Sequence, residues 1–260
     1  MQDLDSQILV SKIDTIVIIS LNRLPVNGYY LDFLERLSSI ITEASLDDTI
    51  KVILIKSTSE KFFCAGADIK IFASNTQIQN NEMVKTARKV SAAICNSKKI
   101  VVAAIKGHVL GGGLEICMAC DIRLAAKGDY LIGLPEVKLG LMPGNGGTPR
   151  LIDLIGASRA MELLVTGNTI TPQKAYDYGL FNQLYEEISF ENEVEIYVDK
   201  IAKGAGKAMS AIKEYVGRHK GMSLQESLIF ETECVDILYN TPDAKEGFNA
   251  FVEKRTPEFE

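Results

Sequence analysis

Two acids in this chain occupy positions where a carboxylate is costly to place. Glu115 follows three consecutive glycines in "GHVLGGGLEICMACD" and opens an apolar run over 116–120. Glu136 follows Pro135 in "GLPEVKLGLMPGNGG", among Leu134, Val137 and Leu139. Apolar surroundings and a neighbouring like charge both raise a carboxyl pKa. An acid that exchanges its proton near neutral pH suits general acid–base chemistry. Gly111 and Gly112 fall at the entry to a helix-like segment, where the first N–H groups lack intrahelical partners. Without a Cβ there, a ligand oxygen approaches the backbone closely, and the helix dipole favours negative charge. A third stretch, "EKFFCAGADIK" over 60–70, places the small residues Ala65, Gly66 and Ala67 after a strand-like run, then Asp68 and Lys70. A plainer reading stands beside each feature. The glycines make a sharp turn with Glu115 complementing a helix N-terminus, Glu136 is a strand-end acid, and Asp68 caps a helix. The glycine order matches neither a Walker loop nor a dinucleotide fingerprint.

The elements that must position these residues are legible in outline. Two β-branched runs over 7–21, broken near Asp14, predict a hairpin. Tyr30, Phe33, Leu34, Leu37 and Ile41 recur at helical spacing over 29–44. "KVILIKS" and "IVVAAIKG" are almost wholly apolar, as strands covered on both faces are, and 82–97 reads as the helix crossing between them. Thr148-Pro149 and Thr171-Pro172 each read as an N-cap with proline at the first helical position. From 190 onward nearly every segment has helical periodicity. The order implies an α/β fold, with a sheet-containing body over 1–195 and a helical segment over 196–260.

Composition sets limits. A chain of 260 residues that is 47% hydrophobic can bury a sizeable core. Its 28 basic residues against 34 acids, a formal charge of −6, leave no electrostatic footprint for nucleic acid or an anionic membrane. No apolar stretch approaches the roughly 20 residues of a bilayer span, and the start lacks a signal-peptide apolar region. Five cysteines do not form a disulfide framework, so a reducing cytoplasm is the expected setting. Cys117 and Cys120 have C-x-x-C spacing but lie in an apolar run, which reads as core. His108 and His219 are too few for a histidine-rich metal site, and the acidic stretch 186–195 reads as a solvated helix start.

The stretches "FFCAGADIK", "IKGHVLGGGLEICMACDIRLAA" and "GLPEVKLGLMPGNGGTPRLIDLIGASRAMELLVTG" together resemble the enoyl-CoA hydratase/isomerase (crotonase) family. The resemblance runs in order from about Val10 to the closing "EGFNAFVEKRTPEF". It implies a crotonase-like spiral of ββα units followed by a C-terminal helical trimerisation segment. It also implies an acyl-CoA substrate, a homotrimer or dimer of trimers, and no metal or separate cofactor, coenzyme A being part of the substrate. The N–H groups of Ala67 and Gly112 would form an oxyanion hole for the thioester carbonyl. Glu115 would act as base toward a water adding to C3 of a trans-2-enoyl-CoA, and Glu136 would deliver the proton to C2. The CoA portion would lie along Ala65, Ala67, Asp68, Ile69 and Lys70 near Gly111, with Phe251 and Lys254 reaching the site of a neighbouring subunit. Two departures stand out. Gly28-Tyr29-Tyr30 replaces small or aliphatic residues along the acyl path, and Pro149 stands where relatives often carry glutamine. Hydration is the leading reading, because isomerases of the family often lack the first glutamate. Δ3,Δ2-enoyl-CoA isomerisation is the alternative within the family. Outside it stand a two-carboxylate glycoside hydrolase, disfavoured by the absence of tryptophan, and a non-catalytic scaffold.

Overall fold

The computed structural model describes residues 3–259; Met1 and Gln2 of the acidic start, and the terminal Glu260, lie outside the described residues. After a single-turn helix α1 (Leu4–Gln7), strands β1 (Ile8–Ile13) and β2 (Ile16–Leu21) form the predicted antiparallel hairpin. Its turn passes through Asp14 at φ 49°, a left-handed conformation that Asp tolerates better than most residues. Helix α2 (Leu31–Leu46) then buries Phe33, Leu34, Leu37 and Ile41, the face its spacing predicts.

From there the chain winds as a spiral. Strand β3 (Val52–Ser57) leads to the short β4 (Phe62–Cys64) and helices α3 (Ile69–Ser74) and α4 (Gln77–Asn96). The next turn is β5 (Ile100–Ile105), β6 (His108–Leu110) and α5 (Gly112–Ala119). A third runs through β7 (Ile122–Ala126), β8 (Ile132–Gly133), a 3-10 turn Pro135–Leu139, and helices α6 (Gly147–Ile155), α7 (Ala157–Thr166) and α8 (Pro172–Asp177), before β9 (Gln183–Tyr185). The longer strands form a six-stranded sheet ordered β1-β2-β3-β5-β7-β9, parallel from β2 onward. The short ones form a parallel three-stranded sheet, β4-β6-β8. Each turn thus contributes one strand to each sheet, the ββα spiral that the family resemblance implies.

The continuous apolar strands have a simple cause. Ile53, Ile55, Val101, Ala103 and Ala125 face the main core, while the alternate residues Val52, Leu54, Val102, Ala104, Leu124 and Ala126 face the other way. That second face is sealed by helix α9 (Phe190–Ala202), whose Phe190, Val194, Val198 and Ala202 recur every fourth residue. Both sides of the sheet are covered, so neither side could be polar.

Several boundaries differ from expectation. Helix α4 starts at Gln77 rather than near 82, because Thr76 and Gln79 form a reciprocal capping box. Thr171 caps α8 with Pro172 at the first position, as predicted. The matching signal at Thr148-Pro149 misleads. Helix α6 starts at Gly147 after a left-handed Gly146, so Pro149 is its third residue, where a missing N–H forfeits no intrahelical bond. The acidic stretch opens α9 through a 3-10 turn, Glu187–Ser189, and its Glu186, Glu187 and Glu191 pair with Lys127, Lys106 and Lys56. Beyond α9 lie α10 (Gly206–Arg218), α11 (Leu224–Tyr239) and α12 (Pro242–Glu253). Lys213 ties α10 to the body through the Asp121 carboxylate at 2.7 Å and the carbonyls of Ile94 and Lys99.

Candidate active site

The loop after β4, the N-terminus of α5, the 3-10 turn and α4 surround a cavity of about 280 Å³. Glu115 and Glu136 both line it, together with Ala65, Ala67, Ile69, Gly111 and Gly112. Asp68 and Lys70 do not. Asp68 caps α3 by accepting from the Lys70 and Ile71 amides and pairs with Arg23 at 2.8 Å, while Lys70 is exposed. Phe251, 85% exposed on α12, and Lys254 at that helix's end also stand apart from the cavity.

The glycines at the head of α5 have a more specific cause than open access. Gly111 turns through φ 51°. A Cβ at Gly112 would fall on the Tyr29 hydroxyl, and one at Gly113 on the Cys64 carbonyl. Gly66, at φ 89°, abuts the Gly112 amide: a Cβ there would press within 3.0 Å of its nitrogen. These close approaches bring the 65–68 loop against the start of α5. Tyr29 donates its N–H to the Gly66 carbonyl and accepts from the Asp68 N–H, which leaves the intervening Ala67 amide unused. Neither Ala67 N–H nor Gly112 N–H donates to a protein acceptor among the described residues. Two main-chain donors therefore border the cavity.

The two acids are held differently. Glu115 is only 3% exposed, yet its Oε1 accepts from the Asn145 and Gly147 amides at 2.7 Å each. Those amides lie at the start of α6, so the carboxylate occupies a helix N-terminus in place of a capping side chain. Burial raises its pKa, while those two hydrogen bonds, with Arg150 and Arg88 beyond, pull the other way. Glu136 sits in the 3-10 turn rather than at a strand end. Its Oε2 is buried without a hydrogen-bond partner. Burial pushes its pKa up to about 7; its own main-chain amide opposes the rise and the negative charge of Glu115 adds to it. Both carboxyls are therefore shifted upward, but only the Glu115 anion is held by main-chain hydrogen bonds, and two interacting acids titrate as a pair.

Sequence reasoning missed three contributors. Tyr29 stood out there only as a departure, yet its buried side chain lines the cavity. Asn145 and Gly147 supply the amides that grip Glu115, and a Cβ at Gly147 would come within 2.8 Å of its Oε1. The signal was present in "GNGGT", a second glycine cluster entering a helix. The apolar wall comes from Phe72, Met83, Val84, Leu139, Leu141 and Met142. Cys117 in α5 and Cys120 at its C-cap are both buried, and desolvation raises both thiols. His108 accepts from the Leu131 amide at 2.9 Å and packs on Phe62, a structural role.

Comparison with known proteins gives a consistent result. The family described as enoyl-CoA hydratase/isomerase matches residues 11–260. A short-chain-enoyl-CoA hydratase of Clostridium acetobutylicum is 32% identical, covering 96% of each chain. A crotonyl-CoA hydratase of Syntrophomonas wolfei is 31% identical, covering 97% of each. Among solved structures, an enoyl-CoA hydratase from Bacillus anthracis superposes with a TM-score of 0.94 at 36% identity, over 97% of this chain and 98% of that one.

Proposed function

Since the chain belongs to the enoyl-CoA hydratase/isomerase family, we propose that it is a hydro-lyase that adds water reversibly across the C2–C3 double bond of a trans-2-enoyl-CoA. The observation that carries this reading is the meeting of both glutamates with two unpaired main-chain amides around one cavity. In the proposed reaction the Ala67 and Gly112 N–H groups hold the thioester oxygen, where negative charge develops as C3 is attacked. One such donor is typically worth about 3 kcal/mol of barrier. Glu115, fixed by the α6 amides, takes a proton from the attacking water as its oxygen bonds to C3. The π electrons move toward the thioester, and Glu136 gives its proton to C2, forming the 3-hydroxyacyl-CoA. The reverse reaction runs through the same steps, with the two acids exchanging proton roles.

The CoA portion would follow Ala65 to Ile69, with Asp68 stabilising the start of α3 and Lys70 reaching the nucleotide end. We read the assembly as a homotrimer or dimer of trimers in which Phe251 and Lys254 approach a neighbour's site. No metal or separate cofactor enters this chemistry. The five free thiols accord with a cytoplasmic setting. No helix among the described residues is long and apolar enough to cross a membrane. Mixing the protein with crotonyl-CoA and following loss of the conjugated-thioester absorbance tests the reading. Turnover of 3-enoyl-CoA substrates alone would replace hydration by isomerisation.

A further inference from the structure

Tyr29 is joined to both sides of the proposed thioester site. Its main chain bonds to Gly66 and Asp68, on either side of Ala67, at 2.9 and 2.8 Å. Its ring lies against Gly112, where the hydroxyl fills the space a Cβ would take. The side chain is 5% exposed and lines the cavity. Yet its hydroxyl makes no hydrogen bond to another group among the described residues. A phenol that lines the cavity and has no protein partner is free to donate to a ligand held there.

The direction of the hydroxyl narrows what it meets. At the first residue of a helix, with helical φ and ψ, the N–H bond and the Cα–Cβ direction are nearly eclipsed. The Tyr29 oxygen therefore lies on the same side of Gly112 as that residue's amide hydrogen. An atom accepting from Gly112 N–H is thus a neighbour of the phenol. Burial, and then the negative charge of Glu115, raise the phenol's pKa, so it remains a donor at neutral pH.

We propose that the Tyr29 hydroxyl is a third hydrogen-bond donor to the thioester oxygen, and so a further catalytic residue beside the Ala67 and Gly112 amides. This rests on the reading that the cavity takes an acyl thioester. It also gives a reason for the tyrosine at this position and for the glycine opposite it. A ring is needed to carry the donor into the hole, and only a residue without Cβ leaves room for it.

The test compares the wild type with Tyr29→Phe, which keeps the ring that packs on Gly112. The probe is acetoacetyl-CoA, a β-ketoacyl thioester whose enolate has its own ultraviolet band and places its charge on the thioester and ketone oxygens. The expected result is an upward shift, by about one pH unit or more, of the titration that forms the bound enolate. The variant's kcat on crotonyl-CoA should fall about 100-fold, the lower end for losing one donor of this kind, with KM changed less than about threefold and the melting temperature retained. An unshifted enolate titration overturns the proposal, even if hydration slows. The two readings separate cleanly. If the wild type forms the enolate and the variant loses it while neither hydrates crotonyl-CoA, the Tyr29 contact stands and the hydratase reading fails.

Discussion

Glu136 is strained as an anion, with one oxygen buried unpartnered and its pKa pushed up to about 7 by burial. In the unfolded chain the same group titrates near 4.5, so the folded protein binds this proton more tightly. Its contribution to stability is complete below about pH 4.5 and is lost as pH rises through 7. Glu136→Gln cannot ionise and escapes that loss. The variant should therefore be more stable than wild type at pH 8 by about 1–3 kcal/mol, with the difference vanishing below about pH 4. Its hydration rate should fall at least about 10²-fold, the lower range for removing a positioned acid. Calorimetric melting at both pH values tests the first half, and equal melting temperatures at pH 8 would contradict it. The same proton sets the rate profile. With Glu136 as the donor to C2, wild-type hydration should decline as pH rises above about 7, and a rate flat to pH 9 would remove Glu136 from that role.

Glu115 depends on an element rather than on a neighbour: the start of α6 supplies both amides that hold its Oε1. Gly147 is the tight point, since a Cβ there would lie 2.8 Å from that oxygen and from Pro143 Cβ. Alanine favours a helix by about 1 kcal/mol over glycine, so Gly147→Ala should fold normally while pushing the carboxylate aside. A misplacement near 1 Å costs on the order of 10²-fold in turnover. Steady-state kinetics showing an unchanged kcat would mean that the α6 start does not position Glu115. The same element shows where the sequence was readable. Helical periodicity exposed α2 and the run into α4 because their buried residues recur over several turns. Both acids stood out because apolar residues surround them in sequence as well as in space. The short strands β4, β6 and β8 could not be seen, since two or three residues show no period. The start of α6 was misjudged because Glu115, 32 positions before Gly147, takes the place of a local cap. The contact of Tyr29 with Gly112 spans 83 positions (112 − 29) and leaves no trace in local pattern.

At the scale of the molecule, the apolar residues divide into those with a place inside one chain and those without. Helix α9 spends its apolar face on the sheet, but α10, α11 and α12 leave theirs in solvent. Ile212 and Val216 lie one turn apart on α10, Leu224 and Leu228 likewise on α11, and Phe248 and Phe251 follow on α12, all more than half exposed. Exposed apolar residues repeated over three successive helices are what an association site would cover. Under the proposed trimer they would be covered by a second copy, which also brings Phe251 and Lys254 toward that copy's CoA site. Sedimentation equilibrium should then give about three or six times the 28.5 kDa chain mass. Leu228→Glu places a charge that cannot be buried without a partner, so it should shift the protein toward monomer and raise KM for acyl-CoA while Glu115 and Glu136 remain in place. Phe251→Ala keeps most of the apolar area and should raise KM with the assembly intact. A wild type that sediments as a single chain at micromolar concentration would sink the trimer. A Leu228→Glu monomer with unaltered KM would instead show that each chain binds its substrate alone.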